Sequence, residues 1–396
     1  MESTIPRNEI PAIIDVSFED LMRDPYPIYK RAQALGPVVR IEAANLLLVT
    51  RFEDIVAIER DPATFSSDNP ESNVVKLFGP NLMRKDGEAH QRERKAIEPT
   101  VRPGTATRCW GPALEGIVDE VISAFERDGE ADLFDALAAP ISGRALAAIV
   151  GFEDVSWQTI AAWSQGMMDG AGNYSGDPKL TARALEVSRE IEEAVDRNCP
   201  RLLDAPDESL LSSMLQSGLS TKEIYGNTKV AVGGGYNEPR DAILSLIYGL
   251  LLNPDQKEKV LANPALWQPA FEEAVRWISP IGMYPRLLTR DVDLGGHILP
   301  KGTQIGLSVA AANHEEPRFE APQEYNAFRS KTPHLAFGSG PHFCAGTWVA
   351  RIMVTKVVAP QVFARLANLR LKNPDLVTVR GWVFRGPTSL PVVWDV

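Results

Sequence analysis

Residues Phe337 to Gly346 read FGSGPHFCAG, and they set one cysteine, Cys344, in a glycine-punctuated loop that leads straight into a helical pattern. A lone cysteine in such a loop is ordinarily a small buried hydrophobe. Here the neighbouring residue types ask for more. A thiolate that stays on a ferric iron must be desolvated, yet hydrogen-bonded enough to tune the electron density it donates. Backbone N–H groups in a tight turn do both. Gly338, Gly340 and Gly346 permit the close backbone approach and the positive φ values of such a turn. Gly346 also opens the following helix, where a larger side chain would strike a flat macrocycle. Phe337 would pack beneath that ring on the sulfur side, and His342 is placed to reach a propionate carboxylate. The loop therefore reads as a thiolate site for haem iron.

The register of aromatic residue, two glycines, histidine and cysteine resembles the haem-binding loop of the cytochrome P-450 superfamily. The resemblance implies haem b as cofactor, with Cys344 as its axial ligand. Glu273 and Arg276 form an E-x-x-R pair in FEEAVRW, three apart and so on one helical face. Arg329, in EYNAFR, stands where the family supplies the second arginine of a buried Glu-Arg-Arg network, whose role is structural. Between them, AANHEEPRFEAPQEYNAFR follows the family's meander, with Asn313, Pro317, Phe319 and Pro322 in place. His90 and Arg94, four apart in DGEAHQRERK, leave one helix in the same direction. Arg286 follows the E-x-x-R helix. The resemblance makes His90, Arg94 and Arg286 propionate ligands.

In this family a long central helix crosses the oxygen-binding face, carrying a small residue pair and then an acid and an alcohol that help deliver protons. The corresponding segment here is VAVGGGYNEPRD. With Gly234 and Gly235 as the small pair beside the cofactor, Asn237 takes the acid position and Glu238 the alcohol position. Pro239 follows, and its missing N–H is expected to open or kink the helix. A hydroxyl donates a hydrogen bond at any ordinary pH, whereas a carboxyl donates only when protonated. Burial favours that neutral form. Glu238 is thus the expected acid-base residue, with Asn237 orienting it or a water. A carboxylate at this place also resembles the arrangement in haem peroxygenases, which makes hydrogen peroxide a second expected oxidant. The missing acid-alcohol pair leaves one alternative of another class, a non-catalytic haem-based ligand sensor.

The chain has 396 residues, 44% hydrophobic and 23% charged, which suits a large core and excludes a disordered or fibrous protein. The resemblance spans nearly all of it, so a single domain over 1–396 is expected, mainly helical (α+β), with β-rich portions at about 36–50, 290–310 and 376–396. Helical periodicity fills the middle, in GPALEGIVDEVISAFERDG, TARALEVSREIEEAVDRN and the run from Thr221 to Leu252. No run of roughly twenty apolar residues occurs, and MESTIPRNEI lacks the basic and apolar regions of a signal peptide; a cytoplasmic protein without membrane attachment is expected. Cys109 and Cys199 read as packing residues. The net charge of −11 argues against a nucleic-acid binder. Arg84, Lys85, Arg92, Arg94, Lys95, Arg102 and Arg108 nevertheless cluster, and a basic face suits an acidic electron donor, a ferredoxin or a flavodoxin-like reductase domain.

A Gln-Glu-Pro variant of the central helix, and a tail resembling GWVFRGPTSL, occur in the bacterial branch that demethylates methoxyphenols such as guaiacol and syringol. The resemblance thus points to O-demethylation or hydroxylation of a small, largely apolar aromatic compound with dioxygen, hydroxylation of a terpenoid being the alternative. Family-equivalent pocket positions are Val232 on the central helix, Ile281, Gly282 and Met283 after the E-x-x-R helix, and Val383 with Phe384 in the tail. Val74, Val75, Leu77 and Phe78 before His90, and Trp163, Met167 and Met168 in the expected roof, complete the set. Their aliphatic and aromatic mixture suits a hydrophobic ligand.

Overall fold

The computed structural model describes residues 9–174, 176–316, 318–330 and 332–396; Pro317 of the expected meander lies outside them. A 32-residue helix, Thr221–Leu252, runs through the molecule. It starts at a capping box: the Ser220 hydroxyl accepts the Glu223 N–H, and the Glu223 carboxylate accepts the Ser220 N–H at 3.0 Å. Pro239 was expected to open or kink this helix; it does not open it, and the helix is continuous from Thr221 to Leu252. The helices Ala139–Val150 and Trp157–Ala171 pack along its length and hold the segment against the lost Gly235 carbonyl bond. Of the expected helical runs, 181–198 lies within the helix Pro178–Asp204, while 111–129 is helical over Gly111–Ser123 and ends in turns.

A six-stranded sheet has the order Ala12–Ile13, Val39–Ile41, Leu46–Val49, Gln304–Leu307, Tyr284–Leu288, Phe65–Ser66. The strand Tyr284–Leu288 carries Arg286 and pairs antiparallel to Gln304–Leu307. It was not expected, because YPRLL has neither strict alternation nor a flanking turn signal. In the tail, Thr378–Arg380 pairs with Gly386–Ser389, and Pro391–Asp395 lies between Ala367–Leu371 and Glu130–Asp132. Glu130–Asp132 is too short and polar to show in a sequence pattern.

The helix Trp267–Trp277 lays Trp267, Ala270, Phe271 and Ala274 into the largest apolar core and presents Glu273 and Arg276 to the chain that follows. Arg276 donates to both Glu273 oxygens, at 2.7 and 2.8 Å, and to the carbonyls of Asn313 and Pro322, both at 2.8 Å. Arg329 Nε reaches Glu273 Oε1 at 3.0 Å, and the Asn326 N–H reaches the same oxygen at 2.9 Å. Asn313, fully buried, donates to Ser279 Oγ and accepts from the Leu335 N–H at 2.7 Å. The meander is thereby tied to the strand side and to the start of the cysteine loop. Removing one partner of a buried, fully hydrogen-bonded pair strands the others. Glu273→Ala is expected to lower unfolding free energy by about 3–5 kcal/mol in denaturant titration, while Glu193→Ala on an exposed helix face changes it little.

Candidate active site

The cysteine loop closes on itself before entering the helix Thr347–Ile352. The Cys344 N–H donates to the Phe337 carbonyl at 2.9 Å, Phe343 N–H to Gly340 at 3.1 Å, and Gly338 N–H to Leu335 at 2.9 Å. Gly338 and Gly340 have φ of 70° and 63°, in the region that disfavours a side chain. A Cβ on Gly340 would also meet the Glu59 carbonyl at 2.5 Å. Gly346 differs from expectation. Its φ is −77°, and an added Cβ would meet only Cys344 Sγ, at 4.0 Å; what it leaves free is space beside the sulfur. Burial pushes the Cys344 thiol up, a hydrogen bond from the Gly346 backbone and the nearby Arg94 and Arg351 charges act against that, and the Glu238 carboxylate adds to it.

Phe337 lies under the Arg351 guanidinium, 4.9 Å from the ring centroid, with Phe271 at 6.2 Å and Phe343 at 6.4 Å. Arg351 in turn donates to both oxygens of Glu272, at 2.7 and 3.0 Å, and His334 Nε2 meets Glu272 at 3.1 Å. The two consecutive glutamates of FEEAVRW thus serve different partners, Glu273 the meander and Glu272 the cysteine loop. Only the first was read from the sequence.

Opposite the loop stands the glycine trio of the central helix. Each glycine answers a different neighbour. A Cβ on Gly233 would meet Met168 Cε at 2.4 Å, and one on Gly235 would meet Leu146 Cδ1 at 2.7 Å. Gly235 therefore serves helix packing and does not face the gap, contrary to expectation. Gly234 is exposed within this gap, and an added Cβ would find only the Glu238 carboxyl, at 3.8 Å. Glu238 folds back over Gly234, one turn earlier on the same face. Its Oε2 is buried without a partner. Burial, opposed by a bond from its own backbone N–H and reinforced by Asp241, pushes the carboxyl up to about 8. Asn237 is buried with Oδ1 unpartnered, and no hydrogen bond joins it to Glu238. Adjacent helical residues point about 100° apart, so Asn237 does not orient Glu238 directly, as had been expected.

At one end of the gap the helix Gly87–Val101, the strand Tyr284–Leu288 and the cysteine loop converge. His90 is buried with Nε2 unpartnered, and its ring centroid lies 4.3 Å from that of His342. His342 Nε2 meets Asp86 Oδ1 at 3.0 Å. Burial lowers His90 to about 4, with the charges of His342 and Arg94 adding to it. Arg286, also buried, lies over Tyr284 and 3.9 Å from Glu59 Oε1. Arg94 donates to the Phe343 carbonyl at 2.8 Å, directly before the cysteine.

A family model described as Cytochrome P-450 matches residues 184–362. Cytochrome P-450 monooxygenase PikC of Streptomyces venezuelae is 28% identical, over 97% of this chain and 95% of that protein. Pulcherriminic acid synthase of Bacillus subtilis is 26% identical, over 97% and 98%. The crystal structure of CalO2 superposes with a TM-score of 0.86 at 26% identity, covering 98% of this chain and 99% of that one. This chain is a cytochrome P-450 enzyme. The ligand-sensor alternative is thereby set aside. Haem b on a cysteine thiolate is the P-450 cofactor, and Cys344 is the cysteine so placed.

The residues present fit that group. Gly234 and Gly346 leave free space, and the unpartnered His90 Nε2 is buried at one end. Of the expected pocket residues, Val74, Leu77, Phe78, Trp163, Met167, Met168 and Val232 share one apolar cluster, with Phe384 and Ala345 packed against it; Val75 sits beside them on the helix Asn73–Phe78. Met283 and Val383 fall instead into the cluster around Trp382. Gly282 lies under the Trp382 carbonyl, where a Cβ would come to 1.9 Å, and bonds the Val383 carbonyl at 2.8 Å. Ile281 bridges to Phe384. Trp163 also bonds Glu190 at 2.5 Å through its indole N–H, so it braces two helices.

The basic cluster also divides. Lys85 and Arg92 pair with Glu223, Lys85 also with Glu93, and Arg108 with Glu208 at 2.9 Å. Arg84 is buried. Among the described residues no helix is long and apolar enough to cross a membrane.

Gly235→Ala is expected to destabilise the P-450 by about 1–3 kcal/mol through overpacking on Leu146, read by thermal unfolding. Gly234→Ala should leave the fold as stable or about 0.5–1 kcal/mol more so, yet lower haem occupancy per protein in the absorbance spectrum.

Proposed function

We propose that this P-450 oxidises a small, largely apolar aromatic ether, removing its methyl group, with Glu238 as the acid-base residue. The observation that carries the reading is the Glu238 carboxyl, its Oε2 buried and unpartnered, lying over Gly234 and close enough to Cys344 for its charge to raise the thiol. Val74, Leu77, Phe78, Met168, Val232 and Phe384 supply an apolar wall beside it. Such a wall holds a hydrophobic aromatic and excludes water from the reacting carbon.

Cys344, His90, Arg286 and His342 would hold the haem, which when bound supplies the oxidising chemistry of dioxygen and two electrons. Overall, an aryl methyl ether, dioxygen, two electrons and two protons give a phenol, formaldehyde and water, through a hemiacetal that forms when the methyl carbon is hydroxylated. Glu238 holds the proton this reaction consumes. It is neutral below about 8 and ionised above, so proton donation is available through neutral pH and is lost as pH rises through that value. With hydrogen peroxide as oxidant the same carboxyl takes and returns the proton within the gap.

Electrons enter from the Cys344 side. Phe343 and Trp348 are exposed there, beside Arg94 and Arg351. That apolar patch with cationic edges suits an acidic ferredoxin or a flavodoxin-like reductase in the cytoplasm.

A screen of ferric protein by absorbance is expected to show displacement of iron-bound water by methoxyphenols or methoxybenzoates. Response to terpenoids alone would replace the aromatic reading with terpenoid hydroxylation. Turnover should fall as pH rises through about 8. Glu238→Gln should remove that limb and lower coupled product formation about tenfold or more; a variant with full turnover and tight coupling excludes the role.

A further inference from the structure

The P-450 reading leaves one buried cation unused. Arg84 was grouped by sequence with the basic surface cluster, but it is only 8% exposed. Its guanidinium makes no hydrogen bond or ion pair with any described residue, and Nε is fully enclosed. The charges that reach it come from Arg286, Tyr174 and Asp86, and it in turn acts on His342. The one carboxylate among them is already engaged. Asp86 is engaged by His342 at 3.0 Å, by the Ser66 hydroxyl at 2.5 Å and by the Ser67 N–H at 3.0 Å. Glu59, beside Arg286, is engaged at Oε1 by the Tyr284 hydroxyl at 2.6 Å, and its Oε2 is buried without a partner.

The backbone that carries Arg84 is held firmly. Its N–H bonds the Asn81 carbonyl at 3.1 Å, the Leu82 N–H bonds Asn227 Oδ1 on the central helix at 2.8 Å, and Asn227 is fixed in turn by Glu93 at 2.8 Å. A Cβ on Gly226 would strike the Pro80 carbonyl at 1.9 Å, so this loop is clamped directly on the helix. Arg84 is thus a buried guanidinium on a rigid support, beside a second buried guanidinium. Two like charges in one recess are retained against desolvation when an anion completes the site, and a planar fork suits a carboxylate.

We propose that Arg84 binds a carboxylate in the recess it shares with Arg286, His90 and His342. The inference rests on the haem-thiolate reading above. The carboxylate has two sources of identical chemistry, a propionate arm of the haem or the acid group of an aromatic substrate. The adjacency of Arg286 and His342 favours the propionate.

The test compares Arg84→Gln and Arg84→Lys holoproteins with the parent. Each first has its reduced carbon-monoxide spectrum recorded; absence of a thiolate-type band in the parent itself would overturn the haem-thiolate reading, not the role of Arg84. One assay follows transfer of haem to excess apomyoglobin and the midpoint potential. The other titrates ferric protein with para-methoxybenzoate and its neutral analogue para-methoxybenzamide. A propionate on Arg84 gives haem transfer about tenfold faster in Arg84→Gln and a more negative potential, with both ligands bound as before. A substrate carboxylate there weakens para-methoxybenzoate about tenfold while para-methoxybenzamide and haem transfer stay unchanged. Arg84→Lys keeps the charge without the fork, folds under the same electrostatic load, and shows the same change at smaller size. Variants with unchanged haem transfer, potential and ligand affinities overturn the proposal.

Discussion

A sulfur that must work as an anion while buried is the constraint on which this structure depends. Desolvation alone would keep the Cys344 thiol protonated. The fold answers with donors and cations placed by distant segments. The Gly346 N–H belongs to the loop itself, Arg94 arrives from the helix Gly87–Val101 and also bonds the Phe343 carbonyl, and Arg351 follows one turn after the loop. Arg351 is aimed by Glu272, and Glu272 is one residue from Glu273, which ties the meander to the same helix. The helix Trp267–Trp277 therefore steadies the loop twice, once through each glutamate. Its apolar face in the core supplies the rigidity that the polar face transmits.

Across the gap the central helix meets the opposite demand. It must come close to its neighbours for packing and stay clear at one place for chemistry. Gly233 and Gly235 permit the first, against Met168 and Leu146, and Gly234 the second. Pro239 adds no donor to the Gly235 carbonyl, and the flanking helices hold the segment helical in spite of it. The Glu238 carboxyl lies back over Gly234 with its Oε2 buried and unpartnered, and burial keeps the acid neutral to well above the usual carboxylate range. In the proposed acid-base role, burial of Oε2 without a partner is what lets a carboxyl serve where a hydroxyl commonly does.

Much of the site was legible in the sequence because its signals are local. Gly338 and Gly340 specify a turn by their own backbone freedom, and Glu273 with Arg276 specify a shared face by spacing. Other parts had no local signal. Glu272 looked like its neighbour Glu273, and only the arrival of Arg351 and His334 distinguishes them. Met283 and Val383 are apolar residues like those of the pocket wall, yet they pack around Trp382. Arg84 reads as one more cation in a basic stretch until the loop carrying it is clamped on Asn227 and Gly226.

By itself the sequence determined the identity of the thiolate residue, the extent of the central helix, and the absence of the usual acid-alcohol pair from it. Each of these depends on residue type and spacing within a few turns of chain. Only the tertiary structure decided which glycine faces the gap, which buried cations meet no counter-charge, and which apolar side chains form the wall. Those outcomes depend on which segment far along the chain supplies the neighbour, and a side chain's periodicity carries no record of its partner.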